Sequence, residues 1–279
     1  MMKSWDLNTM RTIPVCFGIK IDYLNKEVVT EFSAKILGED YPQLISKDTI
    51  HKCFQNINRK GIGAFDIDKM IKTAQVVSCD ATKDIPFDDI PQLTTYIRGH
   101  LTNYQQYVCQ FLRNGNLELR KNVTTKKYKK RLVIYDKERE MNRAENRPFV
   151  GTYGDENFIG KCRFEMNLTS KYQIRETLNI QSNDLGTVLR SKENPILSFI
   201  QETVGPREGT PRYNNRKTYL VSLVLKDCNY DLAQVEEKMR SFYGRGTDFK
   251  KIMKPYREYY DMDYQADRDI LNELLALLK

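Results

Sequence analysis

The sequence predicts a mixed α+β main domain followed by a small helical domain. Up to about residue 170, short runs alternate apolar and polar residues, as half-buried strands do. Between and after these runs, apolar residues recur at helical spacing, and beyond residue 205 only the helical pattern continues. We therefore expect one domain over 1–205 and a helical one over 206–279.

The first half of the chain supplies strands and helices in turn. The alternation over 15–23 predicts a strand, and 46–61 has the polar start, apolar stripe and terminal glycine of a helix. A strand is predicted over 75–85 and a helix over 86–101. Two strand-like runs then flank the turn sequence at 114–116, which predicts a hairpin.

The second half begins with a change of pattern inside one stretch. Residues 131–135 alternate like a strand, whereas 136–141 has the charged character of a first helical turn. One more strand is predicted over 160–168, and helices over 170–180 and 185–204. Residues 205–217 have the Pro, Gly and Arg content of a linker, and the remaining segments are patterned as helices.

Composition predicts a polyanionic partner. Lys and Arg number 45 against 37 acidic residues, a net charge of +8, which favours nucleic acid over a membrane. A basic surface without such a partner is the alternative. The six cysteines contain no C-x-x-C pair, so they are typical of a reduced, cytoplasmic protein rather than a zinc module. Neither a signal peptide nor a membrane-spanning apolar run is predicted.

Four acidic residues stand inside or at the end of apolar strands. Asp80 and Asp84 are four residues apart and so share one strand face. Glu165 interrupts another apolar strand, and Glu140 follows a third. Each has a simpler explanation alone, namely an outward-facing side chain or, for Glu140, the helix dipole. Together they predict an oxygen-ligand site for Mg²⁺ or Mn²⁺, beside which a tyrosine could attack a phosphate.

These residues carry a resemblance to a known family. In order along the chain they form a D-x-x-x-D strand, a segment close to R-x-Y-D-K-x-x-E, and an R-x-E strand. The matching positions are Asp80 and Asp84, then Arg131, Tyr135, Asp136, Lys137 and Glu140, then Arg163 and Glu165. The series resembles the rolling-circle replication initiation proteins of phages and plasmids, of the phage gene II/X type and the related plasmid replication initiation factor group. One departure is that three residues, not one, separate Arg131 from Tyr135.

The resemblance implies an enzyme that nicks and rejoins one DNA strand at an origin through a phosphotyrosine. It implies a central antiparallel sheet with flanking helices, as in the histidine-hydrophobic-histidine endonucleases. The usual histidine pair is absent, because the two histidines, His51 and His100, stand apart. The carboxylates Asp80, Glu140 and Glu165, with Asp84 in reserve, would replace it as ligands of Mg²⁺ or Mn²⁺.

Three tyrosines are candidates for the nucleophile. Tyr135 lies in the family-like segment, where Lys137 would stabilise a phosphate or lower the phenol pKa. Tyr128 lies among basic residues, and Tyr172 opens the helix after the Glu165 strand. For Tyr135 the alternative is a strand tyrosine that packs its ring on the core.

A basic run next to Tyr128 predicts the DNA-binding surface. It contains Lys126, Lys127, Lys129, Lys130 and Arg131. Mixed basic and aromatic residues suit single-stranded or hairpin DNA, although such a run is often only a solvated surface.

The implied setting is the cytoplasm of a bacterial host. Because no P-loop is present, a host helicase is the expected partner. Two other functions remain open. One is a non-catalytic DNA-binding replication regulator, and the other is a metal-dependent nuclease that forms no covalent intermediate.

Overall fold

The computed structural model describes residues 4–6, 11–13, 17–61, 63–87, 89–101, 106–112, 115–123, 130–205, 216–228, 231–243, 248–260 and 265–279. Within them the chain is an α+β protein with a five-stranded antiparallel sheet and flanking helices. This confirms the fold class expected from the sequence and the antiparallel sheet that the resemblance implies. The closer likeness to the histidine-hydrophobic-histidine endonucleases stays a prediction.

The strands and helices follow one another in mixed order. The strands are β1 (Ser4–Asp6), β2 (Arg11–Ile13), β3 (Phe17–Asp22), β4 (Glu27–Phe32), β5 (Cys79–Pro86), β6 (Tyr107–Phe111), β7 (Leu117–Lys121), β8 (Arg131–Asp136) and β9 (Lys161–Leu168). The helices are α1 (Ile50–Arg59), α2 (Ile67–Thr73), α3 (Ile90–Gly99), α4 (Lys137–Met141), α5 (Arg147–Tyr153), α6 (Lys171–Leu178), α7 (Leu185–Leu189), α8 (Pro195–Thr203), α9 (Arg216–Asp227), α10 (Leu232–Phe242), α11 (Phe249–Tyr259) and α12 (Gln265–Leu278), and a 3₁₀ segment covers Ala34–Gln43.

The chain divides into two compact units, each built from two stretches of sequence. The first comprises Met1–Ile90 and Val108–Ile196, and the second comprises Pro91–Tyr107 and Leu197–Lys279. The C-terminal helices α9 to α12 belong to the second unit. The sequence-based domains, 1–205 and 206–279, stay a prediction.

The main sheet has the strand order β5-β9-β8-β7-β6, while β1 pairs with β2 and β3 with β4 as separate two-stranded ribbons. Alternation gives the main sheet one apolar face, because successive side chains of a strand point to opposite sides. The residues on that face of β7, β8 and β9 that are fully buried, at 0% exposure, are Leu117, Leu119, Leu132, Ile134, Cys162, Phe164 and Met166. Burying each such side chain contributes about 1.5–3 kcal/mol, so this face anchors the three strands.

Smaller cores complete the two units. In the first, α1 turns Ile50, Phe54 and Ile57 to one side, at helical spacing, where they pack with Phe17 of β3. In the second, α9, α10 and α11 enclose a core of their own around Leu225, Val235, Met239 and Met253. Among the residues described, no helix is long and apolar enough to cross a membrane.

Candidate functional site on the polar face of the sheet

Opposite the apolar core, the main sheet carries polar side chains in three rows that the strand register fixes. The first row contains Arg120, Arg131, Asn167 and Asp80; the second contains Glu118, Val133, Glu165 and Thr82; and the third contains Tyr135, Arg163 and Asp84. We call these residues the polar face. Because β5, β9 and β8 are neighbours in the sheet, all three motifs of the resemblance meet here.

At the centre of the polar face, Tyr135 and Glu165 share a hydrogen bond. The Tyr135 hydroxyl donates to Glu165 Oε2 at 3.0 Å, and both side chains are partly buried. Burial and the negative charge of Asp80 raise the pKa of Glu165, against the opposing influence of the tyrosine's hydrogen bond. Burial, followed by the charge of Glu165, raises the pKa of Tyr135. The pair is therefore a neutral phenol held against a carboxylate that is a stronger base than an exposed glutamate.

In the third row, Arg163 and Asp84 form a buried ion pair. The guanidinium donates from Nε and Nη2 to the two carboxylate oxygens, each at 2.6 Å, and from Nη1 to the Tyr41 hydroxyl at 2.7 Å. The side chains are only 6% and 14% exposed. The hydrogen bonds and the charge of Asp84 outweigh desolvation and raise the pKa of Arg163. Asp84 is thus committed to a protein cation.

The first row is more open to solvent. Asp80 is exposed and accepts a hydrogen bond from Asn167 Nδ2 at 2.7 Å. Asn167 Oδ1 in turn accepts from Arg131 Nη1 at 2.5 Å. Arg131 Nε donates to Glu118 Oε2 at 2.7 Å. This chain of polar contacts links β5, β9, β8 and β7.

A second polar cluster begins where β8 ends. Asp136 caps α4 by accepting from the Arg139 amide at 3.0 Å. Lys137, whose side chain is 2% exposed, pairs with Glu140 one turn later, and Asn146 Nδ2 donates to Glu140 Oε1 at 2.7 Å. Burial disfavours the Glu140 carboxylate, but Lys137 and these hydrogen bonds outweigh it and lower the pKa of Glu140.

The Lys137 ammonium also lies close to three aromatic rings. Its Nζ is 5.2 Å from the ring centroid of Tyr41 and 5.9 Å from those of Tyr135 and Phe158. Such contacts stabilise a buried cation. Burial and the charge of Glu165 raise the pKa of Tyr135, so the net shift is opposite to the lowering expected from Lys137, whose own effect on the phenol stays a prediction.

The predicted metal ligands are placed near one another but do not form a shared cation site. Among the described residues, no three His, Cys, Asp or Glu side chains are arranged to hold a metal ion. The physical reason lies in the pairing, since Glu140 is neutralised by Lys137 and Asp84 by Arg163. Among the predicted ligands, Asp80 contributes its negative charge to the raised pKa of Glu165. The residues therefore do not fit a site of three carboxylates, and Mg²⁺ or Mn²⁺ stays a prediction.

The other predicted site residues lie outside the polar face or outside the described residues. Tyr172 lies in α6, beyond the end of β9 that carries Asn167. Lys130 precedes β8 and its carbonyl accepts from the Lys121 amide at 2.9 Å. The remaining candidates, Tyr128, Lys126, Lys127 and Lys129, lie outside the described residues.

Sequence reasoning missed several side chains of the site. They are Lys35, Tyr41, Glu118, Arg120, Asn146 and Asn167. Glu118 and Arg120 had a detectable signal, because these charged residues alternate with Leu117 and Leu119 in β7. Tyr41 and Asn146 had none, since their contacts depend on tertiary packing.

Comparison with protein-family models, with curated proteins and with solved structures finds no match for this chain. The functional interpretation of the polar face therefore depends on its sequence motifs and its geometry.

Proposed function

We propose that this chain nicks and rejoins one strand of single-stranded or hairpin DNA through a phosphotyrosine at Tyr135. The observation that carries the proposal is the Tyr135–Glu165 hydrogen bond at 3.0 Å on a face where three motifs of the resemblance converge. A nucleophile within hydrogen-bond reach of a base is the arrangement that covalent catalysis requires. The role as an origin-specific replication initiator in a bacterial host follows from the resemblance.

The proposed reaction uses groups of this chain. The phenol oxygen of Tyr135 attacks the phosphorus, and its proton passes to Glu165. The bond from phosphorus to the 3′ oxygen breaks, and that oxygen leaves as a hydroxyl after receiving a proton from Glu165 or solvent. The 5′ phosphate remains on the tyrosine as a phosphodiester, and attack by a 3′ hydroxyl reverses the steps and rejoins the strand.

Two cations lie near the Tyr135 side chain. The charge of Arg163 favours the ionised phenol, and the Lys137 ammonium is 5.9 Å from the Tyr135 ring. Fixed positive charges of this kind stabilise negative charge that develops during the transfer. Both cations are buried, so we assign them to electrostatic support rather than to direct contact with the DNA.

A covalent trapping experiment tests the proposal. A pool of single-stranded and stem-loop oligonucleotides with a random window, labelled at the 3′ end, is incubated with the protein, with and without Mg²⁺ or Mn²⁺. The denatured protein should then carry the label, because the segment downstream of the nick stays attached. Tyr135→Phe and Glu165→Gln should both abolish the labelled band.

The matched control is Tyr107→Phe. Tyr107 also donates its hydroxyl to a carboxylate, that of Glu202, but it lies outside the polar face. This variant should form the adduct as the unaltered protein does. Cleavage without any adduct would instead favour a hydrolytic nuclease.

One observation favours a second candidate, the non-catalytic DNA-binding regulator. The ion pairs Lys137–Glu140 and Arg163–Asp84 occupy two of the predicted metal ligands, as expected of a face that only stabilises the fold. Binding to the pool without cleavage or adduct, in either metal, would support this candidate.

A further inference from the structure

An unusual charge arrangement lies at the open end of the polar face. The register of β7 and β8 places Arg120 directly opposite Arg131, and both side chains belong to the same sheet face as Tyr135. Side chains that face each other across two strands have Cβ atoms about 4.5–5.5 Å apart, and like charges there are destabilising. A negatively charged group near the two arginines would relieve this repulsion.

Within the described part of the chain, Glu118 is the carboxylate that lies near both guanidinium groups. Glu118 Oε2 accepts from Arg131 Nε at 2.7 Å, while its Oε1 is 3.6 Å from Arg120 Nε, which is beyond hydrogen-bond distance. Arg120 Nε is buried and, among the residues that the structure describes, has no hydrogen-bond partner. An unsatisfied donor in a charged group is costly, and because this nitrogen is shielded from solvent, an incoming anion would meet the exposed part of the Arg120 side chain instead.

The two arginines are also accessible. Their side chains are 38% and 39% exposed, in contrast to 9% for Glu118. A planar guanidinium with free donors is suited to bidentate contact with a phosphate. An anion that approached from solvent would therefore meet both guanidinium groups before the carboxylate.

The geometry points to Arg120 and Arg131 as a seat for a backbone phosphate of a single-stranded nucleic acid. Arg131 and Tyr135 are four residues apart on β8, about 13 Å along the strand. Between them on the same face lies Val133. The seated phosphate thus belongs to a backbone that follows β8 toward Tyr135.

The flanking carboxylates favour one strand over a duplex. Asp80 and Glu165 lie on the strands to one side of β8, and Glu118 lies on the other side. These acids would repel a second line of phosphates, so we expect this part of the polar face to accept one backbone. The inference rests on the proposed function for the kind of ligand, but not on the nicking step.

Binding of a labelled single-stranded oligonucleotide to proteins that also carry Tyr135→Phe tests the seat without cleavage. Arg120→Gln and Arg131→Gln should each weaken binding roughly ten-fold, which corresponds to one lost charge-assisted contact. Each should also reduce the slope of log Kd against log salt by about 0.7. Arg59→Gln, an exposed arginine at the end of α1, is the control and should change neither quantity.

Glu118→Gln separates a ligand seat from a purely structural cluster. Without the carboxylate, the two arginines repel each other unopposed. This variant should bind the oligonucleotide more tightly than the Tyr135→Phe parent, and the oligonucleotide should raise its Tm by more. A structural cluster alone would lose stability without any gain in binding.

Two lysine variants distinguish a lost phosphate contact from a general loss of folding. Arg120→Lys and Arg131→Lys keep the charge, so they should retain the salt slope while losing part of the affinity. If both glutamine variants bind like Arg59→Gln, or if duplex DNA binds as tightly as the single strand, the seat is refuted. Adduct formation is measured separately, with the unaltered protein. Failure of the phosphate seat therefore shows in the binding experiment, and failure of the proposed nicking shows in the adduct experiment.

Discussion

The two aspartates of β5 should differ sharply in their effect on stability. From the sequence, Asp80 is a predicted metal ligand and Asp84 the reserve ligand, whereas the structure gives Asp84 a buried ion pair with Arg163 and leaves Asp80 exposed. Removing one partner of a buried pair costs about 3–5 kcal/mol, because the other charge stays buried without compensation.

The size of the stability loss in Asp84→Asn follows from the contacts that remain. In Asp84→Asn the amide oxygen keeps one acceptor for the guanidinium, and Arg163 Nη1 keeps its bond to Tyr41 at 2.7 Å. The pair is also 14% exposed on the aspartate side. We therefore expect the low end of the range, a decrease of about 3 kcal/mol in the free energy of unfolding. Asp80→Asn keeps an acceptor for Asn167 at the surface and should stay within about 0.5 kcal/mol of the parent.

Urea unfolding, followed by circular dichroism and by hydrogen exchange of the β9 amides, measures both variants. The experiment is done in chelator and again in Mg²⁺. A structural ion pair predicts the same loss for Asp84→Asn in both buffers. Equal effects of the two variants, present only with metal, would refute this reasoning and restore a shared cation.

The remaining predictions concern charge. Glu165→Gln should stabilise the protein at neutral pH. Because the pKa of Glu165 is raised in the folded protein, the unaltered protein loses stability as pH rises above about 4.5 through the folded pKa. In unfolding curves measured at several pH values, the variant should lose this dependence of stability on pH. Lys137→Met should cost about 3 kcal/mol because it leaves Glu140 without its buried partner, and the double variant Lys137→Met, Glu140→Gln should recover much of that loss in the same urea assay. DNA binding should weaken steeply with salt and favour single-stranded or hairpin probes, given the net charge of +8; equal affinity for matched duplex probes, or a flat salt response, would contradict it.

Periodicity in the sequence was sufficient to predict most of the fold. The alternating runs at 131–135 and 160–168 became β8 and β9, the capped stripe at 46–61 became α1, and the charged segment after Tyr135 became α4. The hairpin around 114–116 is supported by Gly115, whose φ of 83° suits a turn. In contrast, β4, the 3₁₀ segment and α5 were not predicted. The 3₁₀ segment contains a proline and a kink at Gly38 and so lacks a regular period.

The candidate site was predictable in its location but not in its pairing. Strand alternation put Asp80 and Asp84 on one face because that depends only on local geometry, whereas the pairing of β5 with β9 places Glu165 there. Which cation each acid meets depends on register between distant strands. Arg163 reaches Asp84 across 79 positions of sequence, and no local pattern encodes that contact. The metal prediction treated as free ligands two acids that the fold pairs with Lys and Arg.

Mapping the DNA attachment point tests the central claim most directly. The trapped adduct is digested with nuclease and trypsin, and the peptide that retains the nucleotide is identified by mass spectrometry. Trypsin cuts after Lys and Arg, so Tyr135 falls in the peptide 132–137, Tyr128 in 128–129 and Tyr172 in 172–175. The proposed mechanism predicts the nucleotide on peptide 132–137, and attachment to either of the other peptides would contradict it.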